Sequence, residues 1–196
     1  MVGLLQGDPV NDTAEWEAIH QSRHWGTYPD IHVVRQVKKF MAGWGSLFAP
    51  SALEVGCGAG ACSFMMRDSG LSVTAFDGSQ TAIENMRRRC LSEASLFGIP
   101  LDSMVADAQT VDFPAESFDF ILDNFTLTYL EQPPWERILS WLKPGGWLAH
   151  ASFEVAPKGT PVAYEHKEPG HVVERHTSWV EGNAFTFAVR KYVKPS

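Results

Sequence analysis

Gly56, Gly58 and Gly60 follow the apolar run Leu53-Glu54-Val55 and form a G-x-G-x-G turn. A glycine turn after a strand lets the backbone lie very close to a bound molecule, because no Cβ stands in the way. The helix expected next, Ala61–Asp68, would aim its unpaired N–H groups at the same place. The chemistry on offer is the binding of a nucleoside-like or anionic group. The dinucleotide fingerprint G-x-G-x-x-G, with an acid about 20 residues on, is a different pattern. Here the third glycine comes one residue early, and Glu54 lies on the strand itself.

More acids stand where strands are expected to end. Leu71–Phe76 alternates apolar and small polar residues and runs into Asp77-Gly78-Ser79. A carboxylate at that place can accept both hydroxyls of a ribose. Met104-Val105-Ala106 leads into Asp107-Ala108, and Phe118–Leu122 into Asp123-Asn124-Phe125. Without context such an acid is a turn former or a cap. Asp77 and Asp107 depart from that reading because they fall in register with the glycine turn.

Taken together, these segments and the later Trp141-Leu142-Lys143-Pro144-Gly145-Gly146-Trp147, with Lys143–Gly146 as a turn into the fifth strand, resemble the class I S-adenosylmethionine (SAM)-dependent methyltransferases, over roughly Ser51 to Ser152. The resemblance implies SAM as cofactor and S-adenosylhomocysteine (SAH) as product. It implies that Gly56, Cys57, Gly58 and Gly60 lie against the methionine and ribose of the cofactor, and that Glu54 orders the turn and the amino group. By the same resemblance Asp77 with Gly78 holds the ribose, Asp107 with Ala108 frames the adenine, and Asp123 and Phe125 stand near the methionine part and the substrate. Cys57 itself reads as a small filler rather than a nucleophile.

Candidates for the acceptor side are thinner. Asp123, Tyr129 and His150 are candidate bases, and a base is needed if the nucleophile is a hydroxyl or a protonated amine. Thr128 and Tyr129 could line a substrate pocket or continue the core. The His pair common in the family near these two residues is absent. Trp25 and Tyr28, with Trp16, precede the first strand, where many small-molecule methyltransferases carry a lid; aromatics on such a segment also bury against the sheet. His20 and His24 have the spacing of a metal pair on a helix, but no third ligand is evident, so no metal is expected.

The elements that must position these residues alternate along the chain. Helices are expected over Thr13–His24 and Ile31–Met41, the second marked by Val33, Val34, Val37, Phe40 and Met41 on one stripe. Strands and helices then follow in turn: Ala52–Val55, Ala61–Asp68, Ser72–Phe76, Ser79–Phe97, Ser103–Ala106, Phe118–Leu122, Pro134–Leu142 and Trp147–Ser152. Such alternation predicts a doubly wound, Rossmann-like α/β fold with a mostly parallel sheet and helices on both faces. His171–Val180 and Ala184–Val193 read as a C-terminal antiparallel hairpin, completing seven strands by resemblance. The helix that the family places between the fifth and sixth strands looks shortened or absent.

The whole chain, 1–196, reads as one domain, with a helical lid or cap segment over 1–45 and the core over 51–196. A net charge of −7 with a pI near 5.4 disfavours a nucleic-acid backbone as partner. The basic run Arg87-Arg88-Arg89 sits in an expected helix as a solvated face. The odd count of 3 cysteines, without a C-x-x-C pair, indicates neither a disulfide framework nor a structural metal. No long apolar run and no positively charged leader occurs, so a cytoplasmic protein without a membrane partner is expected, monomeric or homodimeric. The reading that results is a methyltransferase acting on a small molecule. A noncatalytic SAM-binding regulatory or scaffold module, or a protein-substrate methyltransferase, is the alternative.

Overall fold

The structure is a computed structural model, and it describes residues 13–22, 28–92, 98–155, 168–180 and 183–195. Seven strands form one sheet: β1 (Ser51–Val55), β2 (Ser72–Asp77), β3 (Leu101–Val105), β4 (Phe118–Asn124), β5 (Leu142–Val155), β6 (His171–Val180) and β7 (Asn183–Val193). Their order is β3-β2-β1-β4-β5-β7-β6. The first five run parallel, while β7 is antiparallel to both β5 and β6. The expected mostly parallel sheet with a terminal antiparallel hairpin is therefore present.

Among the described residues five α-helices flank it: α1 (Thr13–Ser22), α2 (Ile31–Ala42), α3 (Ala61–Asp68), α4 (Gln80–Ser92) and α5 (Trp135–Trp141). The central strands are apolar on both faces, as a parallel sheet covered on two sides requires. In β1 and β4 the alternation is plain. Ala52, Phe120 and Leu122 pack in one cluster with Val37 and Phe40 of α2, Phe64 of α3 and Met86 of α4. Leu53, Val55 and Ile121 belong to the opposite cluster, with Ile138 and Trp141 of α5. The two cores lie on either side of the sheet. Successive strand residues divide between them because side chains alternate across a strand.

Some boundaries moved. β3 begins at Leu101 rather than Ser103, and β5 begins at Leu142 rather than Trp147. The pairing of β4 with β5 jumps from Phe118↔Leu142 to Phe120↔Trp147, so Lys143-Pro144-Gly145-Gly146 is a bulge within a strand rather than a turn before one. Asp119 holds that bulge in place, accepting from Lys143 Nζ at 2.8 Å and from Ser51 N and Oγ at 2.8 and 2.7 Å. The C-terminal parts of the first and fourth expected helices, and the segment between β5 and β6 where a helix looked shortened or absent, lie outside the described residues. Among the described residues, no helix is long and apolar enough to cross a membrane.

Candidate active site

A cleft of about 340 Å³ opens beyond the carboxyl ends of β1, β2, β3 and β4, between the sheet and α1. That is where open α/β sheets take their ligands, and the volume falls within the range of small-molecule sites. One end is walled by Gly56, Gly58, Asp77, Gly78, Asp107 and Ala108. The other end is walled by Asp30, Asn124, Phe125, Tyr129 and Phe153, with Trp16 and His20 of α1 between. Seven positions expected on the cofactor side thus meet in one cavity, and Tyr129 meets them from the substrate side.

The glycine turn is built around two close approaches. Gly56 has φ +65°, and a Cβ there would stand 2.0 Å from Thr126 Oγ1. Its bareness lets the β1 turn lie against the turn that follows β4. Gly58 lines the cleft and donates its N–H to Asp77 Oδ2 at 2.8 Å, while Ser79 N donates to Asp77 Oδ1 at 2.8 Å. Asp77 is thereby fixed at the end of β2. Burial pushes its carboxyl above the usual range, against the pull of the N–H bonds from Ser79 and Gly58. A carboxylate offers about four acceptor sites, so these two bonds leave acceptor capacity on both oxygens.

Other expected cofactor residues stand behind the wall rather than on it. Glu54 lies on the face of β1 toward α3 and accepts a hydrogen bond from Ser63 Oγ. Burial pushes its carboxyl up to about 8, so it is protonated at neutral pH. Cys57 is buried, and burial raises its thiol well above the usual range. That leaves it a thiol packed on Met86 Sδ at 3.6 Å. Gly60 takes φ +86° at the start of α3, where a Cβ would press on Met86 and Phe64. On the third strand's side, Asp107 Oδ1 accepts from Gln109 N at 2.8 Å, forming the turn that carries Ala108 to the cleft.

α1 is tied to the turn after β2. Glu17 accepts from Ser79 Oγ at 2.6 Å, Thr81 Oγ1 at 2.5 Å and Thr81 N at 3.1 Å. It therefore caps the first turn of α4 from another helix. The bonds from Ser79 and Thr81 hold its carboxyl down at about 2. Thr13 sits over Gly78, where a Cβ would come within 2.9 Å of its Cγ2. Trp16 meets Tyr129 edge-on, with ring centroids 5.2 Å apart, so α1 spans the cleft from the β2 side to the β4 side. No local sequence signal marks Glu17, because its partners lie more than 60 residues away.

At the far end Phe125 takes φ +69°, a conformation that costs a bulky residue energy and needs surrounding support. Its support is aromatic: it stacks on Phe153 at 4.8 Å and meets Phe187 edge-on at 5.0 Å. Beside it, Asn124 Nδ2 donates to Asp30 Oδ2 at 3.2 Å. Asn124 Oδ1 faces His32 Nε2 at 2.9 Å, so His32 is the donor.

Asp123 and His150 are drawn together, but below the cleft rather than on its wall. Asp123 is fully buried, and its Oδ1 accepts from Thr126 N and Leu127 N at 3.0 Å each. It thus caps the 3₁₀ turn Leu127–Tyr129 that presents Tyr129. His150 Nδ1 bonds to Asp123 Oδ2, and its Nε2 to Glu168 Oε1 at 3.2 Å. Glu168 Oε2 in turn meets Arg190 Nη1 at 2.7 Å. Burial disfavours the imidazolium, but bonds to Asp123 and Glu168 outweigh it and raise His150 to about 9. At neutral pH His150 is therefore charged and donates from both nitrogens. Thr128 is buried away from the cleft, Tyr28 is 89% exposed and outside it, and Trp25 lies outside the described residues.

A family model described as a methyltransferase domain matches residues 52–146. Aklanonic acid methyltransferase DauC of Streptomyces sp. is 32% identical over 150 residues, 66% of this chain and 67% of that protein. Phosphoethanolamine N-methyltransferase 1 of Arabidopsis thaliana is 32% identical over 116 residues, 57% of this chain but only 22% of the relative's length. Among solved structures, N-methyltransferase NodS from Bradyrhizobium japonicum, in complex with SAH, superposes with a TM-score of 0.65. That match covers 95% of this chain and 100% of NodS at 18% identity, a likeness of fold. Strand order, glycine turn, strand-end acids and sequence similarity agree: the chain belongs to the class I SAM-dependent methyltransferases.

Proposed function

We propose that the chain transfers the methyl group of SAM to a small-molecule acceptor by in-line displacement, chiefly by positioning. The observation that carries this is Asp77, held by Gly58 N–H and Ser79 N–H at the mouth of the glycine turn with acceptor capacity left on both oxygens. The residues present fit the cofactor. Asp77 would accept the ribose hydroxyls, Asp107 and Ala108 would frame the adenine, and Gly56 and Gly58 would let the backbone lie along the sugar and the methionine part. When bound, SAM supplies a methyl carbon that already carries its sulfonium leaving group, so little beyond orientation is asked of the protein.

The chain's own residues divide this work. Glu54, protonated and bonded to Ser63, ties β1 to α3 and steadies the turn without adding charge beside Asp77. α1, latched by Glu17, covers the cleft and excludes water from it. Asp123, clamped by His150, holds the turn that carries Thr126 and Tyr129. His150 is charged and enclosed, so it is a clamp and not a base. Tyr129 and Phe125 form the acceptor side.

Calorimetric titration with SAM, SAH and NAD, followed by transfer of labelled methyl to candidate acceptors, tests the proposal. Micromolar binding of SAM and SAH without NAD, with turnover, is the expected result. Binding without turnover on any small acceptor would favour a regulatory module or a protein substrate, and binding of NAD alone would refute the proposal.

A further inference from the structure

The acceptor end of the cleft carries a chemical signature of its own, which rests on the methyltransferase reading but goes further. Asp30 occupies the N-cap position of α2, where an Asp ordinarily bonds to the helix's free N–H groups. It makes no side-chain cap bond. Its carboxylate instead turns to the cleft, where Asn124 Nδ2 holds Oδ2 at 3.2 Å. Asn124 is itself fixed by His32, a buried histidine whose burial keeps it below its usual range and therefore neutral. An exposed, oriented carboxylate thus faces the cavity beside a wall of rings. Phe125 and Phe153 are stacked, and Tyr129 stands edge-on to Phe153 at 6.0 Å and to Trp16 at 5.2 Å.

Charge narrows the choice of ligand. The described lining residues contribute three carboxylates, from Asp30, Asp77 and Asp107, against one imidazole, His20, and neither a Lys nor an Arg. Among the described lining residues a phosphorylated acceptor would meet these carboxylates and find none of the Lys or Arg partners that phosphate recognition uses. An aliphatic amine would be attracted, but the carboxylate would keep it protonated, and an ammonium has no lone pair to alkylate. A neutral hydroxyl can donate to Asp30 and still present a lone pair. Four rings favour a planar, apolar body.

We infer that the acceptor is an uncharged aromatic hydroxyl compound, its ring packed among Phe125, Tyr129 and Phe153 and its O–H donated to the Asp30 carboxylate, which would take the hydroxyl proton as the oxygen is methylated and SAH is released. Asp30 is then a specificity-determining residue that selects against anionic acceptors.

The test uses the full chain loaded with SAH, and two probes of one shape, 2-naphthol and 2-naphthyl phosphate, with binding followed by calorimetry. The wild-type chain should bind 2-naphthol at least tenfold more tightly than the phosphate. Asp30→Asn should narrow that ratio to less than threefold, while Tyr129→Leu should weaken both probes together and leave the ratio in place. Failure of 2-naphthol to bind, equal or tighter binding of the phosphate, or an unchanged ratio in Asp30→Asn would overturn the inference. Absence of SAH binding in the wild-type chain would remove the methyltransferase reading and this inference with it. SAH binding with the wrong probe order would remove this inference alone.

Discussion

Replacing His150 with Gln should flatten part of the pH dependence of folding stability, and the size of the effect follows from the clamp. His150 rises from an ordinary 6.5 to about 9 in the folded chain. The native state therefore keeps a proton that the unfolded chain gives up above pH 6.5, so stability falls as pH rises. The contribution is complete below about pH 6.5 and is lost through about pH 9. At 1.36 kcal/mol per unit of pH this amounts to about 3 kcal/mol. The group is 1% exposed, so solvent screening takes little from that figure. Glu54, raised to about 8, adds a second decline of the same sign between the ordinary carboxylate range and pH 8. It lies on the opposite face of the sheet, so the difference between the wild-type chain and His150→Gln isolates the histidine. Urea unfolding at pH 6 and pH 9.5 should show the variant about 3 kcal/mol less stable at the lower pH, with the gap largely closed at the higher. A gap that stays the same at both pH values would refute the charged clamp.

Two more outcomes follow from local geometry. Gly56→Ala should cost about 2–5 kcal/mol, combining a left-handed backbone on a residue with a Cβ and a collision with Thr126; a loss under about 1 kcal/mol in urea unfolding would contradict the close approach. Glu17→Ala removes the bond to Thr81 N at the start of α4, where Ser79 Oγ still accepts from Ala82 N, and it removes the latch of α1. It should lower stability by about 1 kcal/mol and weaken SAH binding in the same preparation. Unchanged affinity would mean that α1 does not help close the cleft. Because the carboxyl is held at about 2, the wild-type latch is complete at neutral pH and loosens only as pH falls below the ordinary range for Glu.

The parts of this molecule that were legible in the sequence share one physical property, a short-range pattern. The alternation of strands and helices gave the sheet and both of its faces, and two of the three acids read at strand ends, Asp77 and Asp107, stand on the wall of the cleft while Asp123 lies below it. The Lys143–Gly146 segment read as a turn because glycine and proline punctuate sequence the same way in turns and in bulges; only pairing with β4 distinguishes them. Glu54 stands in the glycine motif, and its strand position turns it toward α3, where it accepts from Ser63 Oγ behind the lining of the cleft. Asp30 was hidden for the opposite reason. An Asp before a helix reads as a cap, and nothing local says that its side chain bonds 94 residues away instead. Glu17 and the Asp123–His150–Glu168–Arg190 chain are likewise products of tertiary contact.

The most direct test of the account is titration of SAH into the wild-type chain and into Asp77→Ala, each checked for folding by thermal melt. Loss of two charge-assisted acceptors should weaken binding by at least about 2 kcal/mol, roughly 30-fold, from a micromolar wild-type value. Equal affinity in two folded proteins would mean that the end of β2 does not hold the ribose, and the cofactor site built on it would have to be abandoned.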